Sequence, residues 1–168
     1  MDFLIEKLRI KELPNFHQVF AQVLREGFDY SPKIIEHFIN SDYSLANYDY
    51  WLKYNYKEIL VAKADGIIVG FLVYDAPYGG VLFGRWLGVL PAWWGKGIGK
   101  KLVDEFIKTA QSLGCHKIEI ASQPRSRDFY KKYGLAEEGL RKLSYFGIDQ
   151  YLFGRVIGEV DESAIIKN

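Results

Sequence analysis

The chain has 168 residues, of which 49% are hydrophobic and 26% are charged, which is typical of a globular protein long enough for one domain with a substantial core. The formal net charge of +1 provides no global field that would favour nucleic acid as a partner. No apolar run approaches the ~18 residues of a membrane span, the first residues lack a signal-peptide layout, and the single Cys115 cannot form an internal disulfide. We therefore expect a cytoplasmic protein that binds neither nucleic acid nor membrane.

The first half of the chain predicts a strand, three helical segments and then three consecutive strands. Apolar residues at helical spacing predict the first helix, which is expected to end near Gly27. Asp65-Gly66 and the sequence "PYGG" supply two turns between the three strands. The predicted elements occupy, in order, residues 3–10, 12–28, 32–39, 44–54 and 58–90.

The second half predicts a helix, a strand, a short helix and a terminal pair of strands. An apolar stripe from Leu102 to Leu113 marks the first of these helices, and Gly114 is expected to end it. Residues 81–122 therefore form a strand–helix–strand crossover, whose two strands should run parallel. In such units a ligand lies beyond the carboxyl ends of the strands, at the helix N-terminus.

The stretch "PAWWGKGIGKKL" (residues 91–102) falls at that helix N-terminus. Glycines at alternate positions, Gly95, Gly97 and Gly99, remove Cβ atoms beside the backbone amides, and three lysines add positive charge. Helix N-termini favour anions because their amides are unpaired and carry a partial positive charge. The stretch predicts a site for a pyrophosphate-bearing cofactor, although a glycine-rich turn that merely starts a helix would have the same composition.

Two well-known phosphate-binding loops do not match this stretch. A P-loop that ends on Gly99-Lys100 would need glycine in place of Trp94 and a hydroxyl residue in place of Lys101. The dinucleotide pattern Gly-x-Gly-x-x-Gly, started at Gly95, would need glycine in place of Lys100. A nucleotide-binding regulator is therefore disfavoured.

Two motifs together connect the chain to a known family. "VLPAWWGKGIGKKL" (residues 89–102) resembles the acetyl-CoA-binding motif of the GNAT superfamily of N-acetyltransferases, and "DFYKKYGL" (residues 128–135) resembles its Phe-Tyr-x-x-x-Gly-Phe signature. The lack of a linker rich in Pro, Gly and Ser predicts a single domain over residues 1–160, and the last residues, "DESAIIKN", predict a loose C-terminal tail at 161–168. The resemblance implies an α/β (α+β) fold. Its mixed, mostly antiparallel sheet of about six or seven strands would be flanked by helices, with a parallel pair splayed at the cofactor site.

This resemblance implies an N-acetyltransferase that moves an acetyl group from acetyl-CoA to a primary amine by direct attack in a ternary complex, without a metal. The backbone around Leu87–Val89 would pair with the pantetheine arm and donate to the thioester carbonyl. The amides from Gly95 to Lys100 would hold the pyrophosphate. The implied cofactor-binding residues are Leu87, Gly88, Val89, Trp94, Gly95, Lys96, Gly97, Ile98, Gly99, Lys100, Gln123 and Ser126.

The chain departs from the family pattern at several positions. Trp94 stands where the family has Gln or Arg, which puts a side-chain contact from this position to the pyrophosphate in doubt. Gln123 and Ser126 replace the usual Asn and Ala, and Leu135 replaces the final Phe. Four cationic side chains are candidates for the adenosine 3′-phosphate, although each also fits a solvated helix face: Lys100, Lys101, Arg127 and Lys131.

Tyr130 matches the family's tyrosine that protonates the departing sulfur. A phenol with a reference pKa of about 10 is protonated at neutral pH and can serve a thiolate of pKa about 8.5. The alternative is simple packing, because Tyr130 shares a helical face with Ser126, Phe129 and Tyr133.

Glu119 is the candidate general base. It alternates with the apolar Ile118 and Ile120 on a predicted strand, so its side chain should face the opposite side from theirs. A count back from Tyr130 to the position of a base in some family members reaches Ile118, one residue short of Glu119. An exposed strand carboxylate with no role, and removal of the proton by water, remain alternatives.

The amine acceptor is less defined by the sequence than the cofactor. The resemblance places it against residues 25–56 and 143–151, which are rich in tyrosine and contain scattered aspartates. Aromatic faces and carboxylates suit a cationic amine, either a small molecule or a protein amine. The protein could act as a monomer or a homodimer. The alternative function is a non-catalytic sensor that binds an acyl-CoA and needs neither Tyr130 nor a base.

Overall fold

The structure, a computed structural model, describes residues 2–167 and contains the helices and strands in the predicted order. The helices are α1 (Leu13–Gly27), α2 (Pro32–His37), α3 (Leu45–Lys53), α4 (Ile98–Ser112), α5 (Arg127–Lys132) and α6 (Glu162–Lys167). The strands are β1 (Leu4–Lys7), β2 (Lys57–Ala64), β3 (Ile67–Asp75), β4 (Val81–Val89), β5 (Lys117–Ser122), β6 (Ala136–Arg141) and β7 (Gln150–Val156). In the described part of the chain, no helix combines the length and apolarity that crossing a membrane requires.

The seven strands form one mixed sheet in the order β1-β2-β3-β4-β5-β7-β6. β4 and β5 run parallel, with Val81 beside Lys117 and Gly84 beside Ile120. The pairs β1–β2, β5–β7 and β6–β7 are antiparallel. A mostly antiparallel sheet of six or seven strands with one parallel pair was the prediction, and it is confirmed. β4 continues from Arg85 to Val89 beyond its last pair with β5.

Contacts divide the described residues into two compact units. The first unit runs to Tyr74 and includes Trp86–Glu105, and the second comprises Asp75–Arg85 and the residues from Phe106 onward.

The core of the first unit is largely aromatic. Phe16 and Phe20 of α1, Tyr48 of α3 and Phe71 of β3 have no exposed surface. The ring of Phe16 lies 5.1 Å from that of Tyr48 and 5.4 Å from that of Phe71, in edge-to-face contact. Burial of side chains of this size contributes about 1.5–3 kcal/mol each, so this cluster fixes the helices between β1 and β2 against the strands.

The core of the second unit forms where β4 and β5 pair. Ile118 and Ile120 of β5 are buried. A Cβ added at Gly84 would lie 3.0 Å from Ile120 and 3.6 Å from Phe106 of α4. Phe153 of β7, which pairs with Ile120, is fully buried. Tight packing at a bare glycine therefore joins α4 to the parallel pair.

The C-terminal residues differ from the prediction of a loose tail. They form α6, whose side chains pack on two bare glycines of the second unit. A Cβ added at Gly114 would lie 2.8 Å from Ala164 Cβ, and one added at Gly80 would lie 2.8 Å from Ile165. The described part of the tail therefore belongs to the packing of this unit.

Smaller differences concern the limits of elements. β1 ends at Lys7, before the predicted limit, because the chain turns at Ile10–Glu12. β6, the first strand of the predicted terminal pair, begins at Ala136. On α4, Leu113 was expected in the buried stripe but is 38% exposed, because the helix ends at Ser112.

Candidate functional site

The glycine-rich loop connects β4 to α4 within the first unit. Gly95 and Gly97 have φ angles of 75° and 81°, in the left-handed region where a residue with a side chain is strained. A Cβ added at either glycine would meet no heavy atom within 4 Å. The two glycines are therefore required by the backbone conformation, and they leave the surface of the loop open.

The amides of this loop are unpaired. The Lys101 amide donates to the Gly97 carbonyl at 3.1 Å and forms the first backbone hydrogen bond of α4. Within residues 2–167, no backbone carbonyl accepts a hydrogen bond from the amides of residues 95–100. Unpaired amides at a helix N-terminus carry a partial positive charge. The loop can therefore bind an anion through its backbone.

The lysines of the loop each have a partner within the first unit. Lys96 Nζ lies 4.4 Å from the centroid of the Trp93 ring, and Lys101 Nζ lies 4.4 Å from that of Phe3. Lys100 Nζ lies 2.5 Å from Asp104 Oδ2, with both side chains about half exposed. Exposed contacts of these kinds contribute about 1 kcal/mol or less, so an anion on the loop can compete for these cations.

The polar atom of the Trp94 side chain is hydrogen-bonded to strand β4 rather than directed to the loop. Its Nε1 donates to the carbonyl of Val89 at 2.7 Å. Its Cζ2 lies 3.7 Å from a Cβ added at Gly27, the last residue of α1. The indole is 50% exposed. The departure of Trp94 from the family pattern put a pyrophosphate contact from this side chain in doubt, but no sequence signal predicted the bond to Val89.

The end of β4 carries the remaining predicted cofactor-binding residues of the first unit. A Cβ added at Gly88 would lie 2.4 Å from Val23 Cγ1 and 2.8 Å from the Phe71 ring, so only glycine fits there. The Leu90 amide donates to the Val69 carbonyl of β3 at 2.9 Å. Because neighbouring residues of a strand alternate in direction, the N–H and C=O of Val89 point away from β3.

Tyr130 lies on α5 in the second unit and is 5% exposed. Its ring centroid is 5.1 Å from that of Phe129 and 5.4 Å from that of Phe153. Burial raises the pKa of the Tyr130 hydroxyl above its ordinary value, because the charged phenolate would lose its hydration. The hydroxyl is therefore protonated at neutral pH.

Ion pairs to Glu137 of β6 hold α5 in place. Glu137 accepts hydrogen bonds from Arg127 Nη2 at 2.8 Å and from Lys131 Nζ at 3.0 Å. These two cations lower the pKa of Glu137, with Lys131 having the larger effect. The Arg127 guanidinium also lies 3.9 Å from the centroid of the Tyr151 ring. Two candidates for the 3′-phosphate are thus paired within the second unit.

Glu119 forms an ion pair with its neighbour Lys117. Lys117 Nζ lies 3.0 Å from Glu119 and 2.8 Å from Glu138, and these two carboxylates, Glu138 first, raise the pKa of the Lys117 ammonium. The Glu119 side chain is 39% exposed. The pair therefore keeps a carboxylate and a cation together at a partly exposed position on β5.

Glu119 and Tyr130 lie on opposite faces of the strands. Tyr130 contacts Phe153, which pairs directly with Ile120 and therefore shares its face. Glu119 alternates with Ile120 and occupies the other face. The structure therefore does not bring these two predicted catalytic residues together on one face.

Gln123 and Ser126 lie on the connection from β5 to α5, close in sequence to Tyr130. Gln123 is 7% exposed, and its carbonyl accepts hydrogen bonds from Ser122 Oγ at 2.8 Å and from the Ser126 amide at 3.1 Å. Ser126 directly precedes α5. No group of three or more potential metal ligands occurs among the residues that the structure describes.

Comparisons with known proteins agree on one family. The model described as "Acetyltransferase (GNAT) family" matches residues 23–135. The chain is similar to the solved structure of PaiA N-acetyltransferase from Thermoplasma acidophilum in complex with coenzyme A, with 22% identity, a TM-score of 0.77, and coverage of 93% of this chain and 99% of that chain. It is also similar to YncA from Salmonella typhimurium with its cofactor acetyl-CoA, with 18% identity, a TM-score of 0.74, and coverage of 96% and 97%.

A curated relative matches a shorter stretch. A protein of Oryza sativa subsp. japonica, named "Probable glucosamine 6-phosphate N-acetyltransferase 2", is 33% identical over 52 residues. These residues are 31% of this chain and 31% of that protein, so the match spans about a third of either length.

Proposed function

Because the chain belongs to the acetyltransferase (GNAT) family, we propose that it is an N-acetyltransferase that transfers the acetyl group of acetyl-CoA to a primary amine by direct attack in a ternary complex. The observation that carries this proposal is the set of unpaired amides of residues 95–100 beside the bare, left-handed Gly95 and Gly97. This backbone suits a pyrophosphate, because it offers several donors and the partial charge of a helix N-terminus. The coenzyme A and acetyl-CoA in the two solved relatives support the same choice.

In the proposed site the end of β4 holds the reacting thioester, which acetyl-CoA supplies. The N–H and C=O of Val89 point away from β3, towards the edge where a ligand would pair with the strand, and the carbonyl accepts a hydrogen bond from Trp94 Nε1 at 2.7 Å. The backbone of Leu87–Val89 polarises the thioester carbonyl and stabilises the oxyanion that develops on attack. A well-placed donor of this kind contributes about 3–4 kcal/mol to catalysis.

Tyr130 protonates the departing sulfur in this proposal. Its burial and raised pKa support the role by keeping its proton in place until a thiolate forms nearby. The same raised pKa makes the phenol a weaker acid, so proton transfer requires that the thiolate be equally poorly hydrated. Gln123 and Ser126 support Tyr130 by fixing the connection that leads into α5.

Glu119 removes the proton from the attacking amine, either directly or through a water molecule. Its ion pair with Lys117, with Nζ 3.0 Å from the carboxylate, supports this role because it holds the carboxylate at a partly exposed position on β5. Because the amine nitrogen and the departing sulfur are bonded to the same carbon in the intermediate, and Glu119 lies on the opposite face from Tyr130, the route through water is the one that the geometry favours.

The acceptor is a cationic amine in this proposal. The residues between β1 and β2, which the family resemblance assigns to the acceptor, include partly buried aromatic side chains at the edge of the first unit's core, such as Phe28, Tyr30, Tyr43 and Trp51. Aromatic faces attract a cationic ligand, and the amine must then lose a proton before it attacks.

Calorimetric titration with acetyl-CoA tests the proposed cofactor, with ATP and dephospho-CoA as controls. Binding of acetyl-CoA is expected. Dephospho-CoA should bind more weakly because it lacks the adenosine 3′-phosphate, and ATP should not bind because it lacks the pantetheine arm that pairs with β4. A panel of polyamines, lysine peptides and aminoglycosides is then assayed by release of free thiol. Absence of acetyl-CoA binding by a folded sample would overturn the proposal, and binding without turnover of any amine would point to the sensor function instead.

A further inference from the structure

Trp94 occupies the edge of β4 on which the proposed function places the pantetheine arm. We propose that its indole is a latch: it holds the Val89 carbonyl in the free protein and leaves that carbonyl when acetyl-CoA pairs with the strand. The inference rests on the proposed function and adds a positioning residue to it. Trp94 acts through Val89 rather than through the pyrophosphate.

The geometry at Val89 is the first support for the latch. The Leu90 amide donates to Val69 of β3, so the Val89 carbonyl points to the other edge of β4. The indole Nε1 of Trp94 meets this carbonyl at 2.7 Å, which is a full hydrogen bond. A ligand amide that pairs with Val89 along this edge would need the same carbonyl.

The surroundings of the indole are the second support. Trp94 is 50% exposed, and its Cζ2 lies at an ordinary contact distance of 3.7 Å from a Cβ added at Gly27. The ring is therefore not locked in a core, and it can rotate away when the hydrogen bond breaks. The chain immediately after it is Gly95, which is left-handed and has open space around it.

The neighbouring Trp93 provides an internal contrast. Its ring faces the Lys96 ammonium at 4.4 Å, and its amide donates to Leu90 at 2.8 Å. No side-chain bond links Trp93 to Val89 among the residues that the structure describes. Of these two adjacent indoles, Trp94 donates a hydrogen bond to the Val89 carbonyl and Trp93 does not, so Trp93 can serve as a control for the latch.

A contact that exists only in the free protein weakens the apparent affinity for the cofactor, because only the molecules in which the contact is broken can bind. The apparent affinity falls in proportion to the fraction of such molecules. A single hydrogen bond between neutral groups has a modest net strength. We therefore expect that its removal tightens acetyl-CoA binding by roughly three- to tenfold.

The first experiment compares Trp94→Phe with the matched control Trp93→Phe. Calorimetry should show tighter binding of acetyl-CoA to Trp94→Phe by about three- to tenfold, and a change of less than about twofold for Trp93→Phe. Equal or weaker binding by a folded Trp94→Phe would overturn the latch. No binding of acetyl-CoA by the wild-type protein would overturn the proposed function, and the latch with it.

The second experiment follows the wild-type protein itself and uses the variants only to assign signals. The four tryptophans give four indole N–H signals in an ¹⁵N spectrum of the wild-type protein, and the signal missing from Trp93→Phe or Trp94→Phe assigns each of the two. On saturation with coenzyme A the Trp94 signal should move upfield as its hydrogen bond breaks. The wild-type protein could also bind coenzyme A while the Trp94 signal keeps the chemical shift of a hydrogen-bonded indole. The indole would then remain bonded to Val89, and the latch would be wrong.

Discussion

The two units of the molecule position their candidate functional groups in different ways. In the first unit the candidate site is mainly backbone: the unpaired amides of residues 95–100 and the edge of β4 at Leu87–Val89. In the second unit it consists of side chains, with Tyr130 on a helix of six residues and Glu119 on β5. The comparison teaches that the proposed cofactor contacts of the first unit depend mainly on backbone conformation, whereas the proposed proton transfers of the second unit depend on the chemistry of individual side chains.

The ion pairs of the two units also differ, in how far their side chains are exposed to solvent. Lys63 of β2 is 7% exposed and bonds to Glu6 and Glu12 of the first unit. In the second unit, Arg127 and Lys131 are 35% and 48% exposed where they meet Glu137. Loss of one partner of a buried ion pair is costly because it leaves an uncompensated charge, whereas exposed pairs contribute little, so the first unit should depend more on its network.

The largest effect is expected from Gly97→Val. The left-handed conformation at this residue, φ 81°, strains a side chain by about 1–2 kcal/mol, and the new side chain would occupy the open space over the loop. We expect acetyl-CoA affinity, measured by calorimetry, to fall by about 100-fold.

Gly66→Val is the matched control for Gly97→Val. Gly66 has φ 79° and, like Gly97, no heavy atom within 4 Å of an added Cβ, but it lies in the turn between β2 and β3. The strain should be similar while cofactor affinity stays unchanged. Equal losses of affinity in both variants would refute the backbone account of the site.

Glu12→Gln should give the next largest effect, on stability. Hydrogen bonds from Arg9 and then Lys63 hold the pKa of Glu12 at about 2, below its reference value of 4.5. A lowered pKa in the folded state means that the stabilisation is complete above about pH 4.5 and is lost as the pH falls towards 2. We expect the free energy of unfolding to fall by about 2–3 kcal/mol at pH 7.

Urea unfolding at pH 7, 4 and 2 measures this effect. The difference between wild type and Glu12→Gln should shrink as the pH falls and vanish near pH 2. Glu58→Gln is the control, because its partner Lys7 is 63% exposed, and it should change stability by less than about 1 kcal/mol. A difference that persists unchanged at pH 2 would contradict the assignment to Glu12 ionisation.

Tyr130→Phe should lower turnover at least about tenfold and leave acetyl-CoA affinity nearly intact. The substitution removes one oxygen and keeps the ring that packs on Phe153 and Phe129. Steady-state kinetics with a responsive amine gives the turnover number. Tyr133→Phe, four-fifths of a turn from Tyr130 along the same helical region, is the control, and unchanged turnover in Tyr130→Phe would leave the tyrosine with a packing role alone.

Glu137→Gln should have the smallest effect. The variant weakens the bonds from Arg127 and Lys131 that anchor α5, so Tyr130 is held less firmly. We expect the turnover number to fall by about two- to threefold at unchanged acetyl-CoA affinity, because the pairs are exposed. The measurement is kinetics at neutral pH, where Glu137 is ionised, and a loss as large as that of Tyr130→Phe would show that the second unit depends on its ion pairs as strongly as the first.

Periodicity and turn chemistry were sufficient to predict the order of elements. The alternation of Ile118 and Ile120 with Glu119 predicted a strand with one buried face, and the structure has it. The spacing of glycines predicted a bare loop before α4, and two of its glycines, Gly95 and Gly97, have left-handed φ angles. These signals are local, because each depends on residues a few positions apart.

The remaining features depend on contacts that no local pattern encodes. Lys63 meets Glu12 across 51 positions of the sequence, and the Trp94 bond to Val89 requires the particular turn of the loop. α6 has its place because Gly80 and Gly114 lack side chains. Tyr48 and Tyr130 are both buried tyrosines with a pKa raised by burial, and composition alone does not distinguish a core residue from a candidate acid.

The buried thiol of Cys115 has a practical consequence for labelling chemistry. It is the only cysteine of the chain, is 4% exposed, and burial raises its pKa, so little of the reactive thiolate forms at neutral pH. Disulfide reagents that count coenzyme A released in an assay should therefore see a low background from the protein itself. A cysteine engineered at an exposed position would be the one attachment point for a fluorophore or spin label, without prior removal of the native thiol.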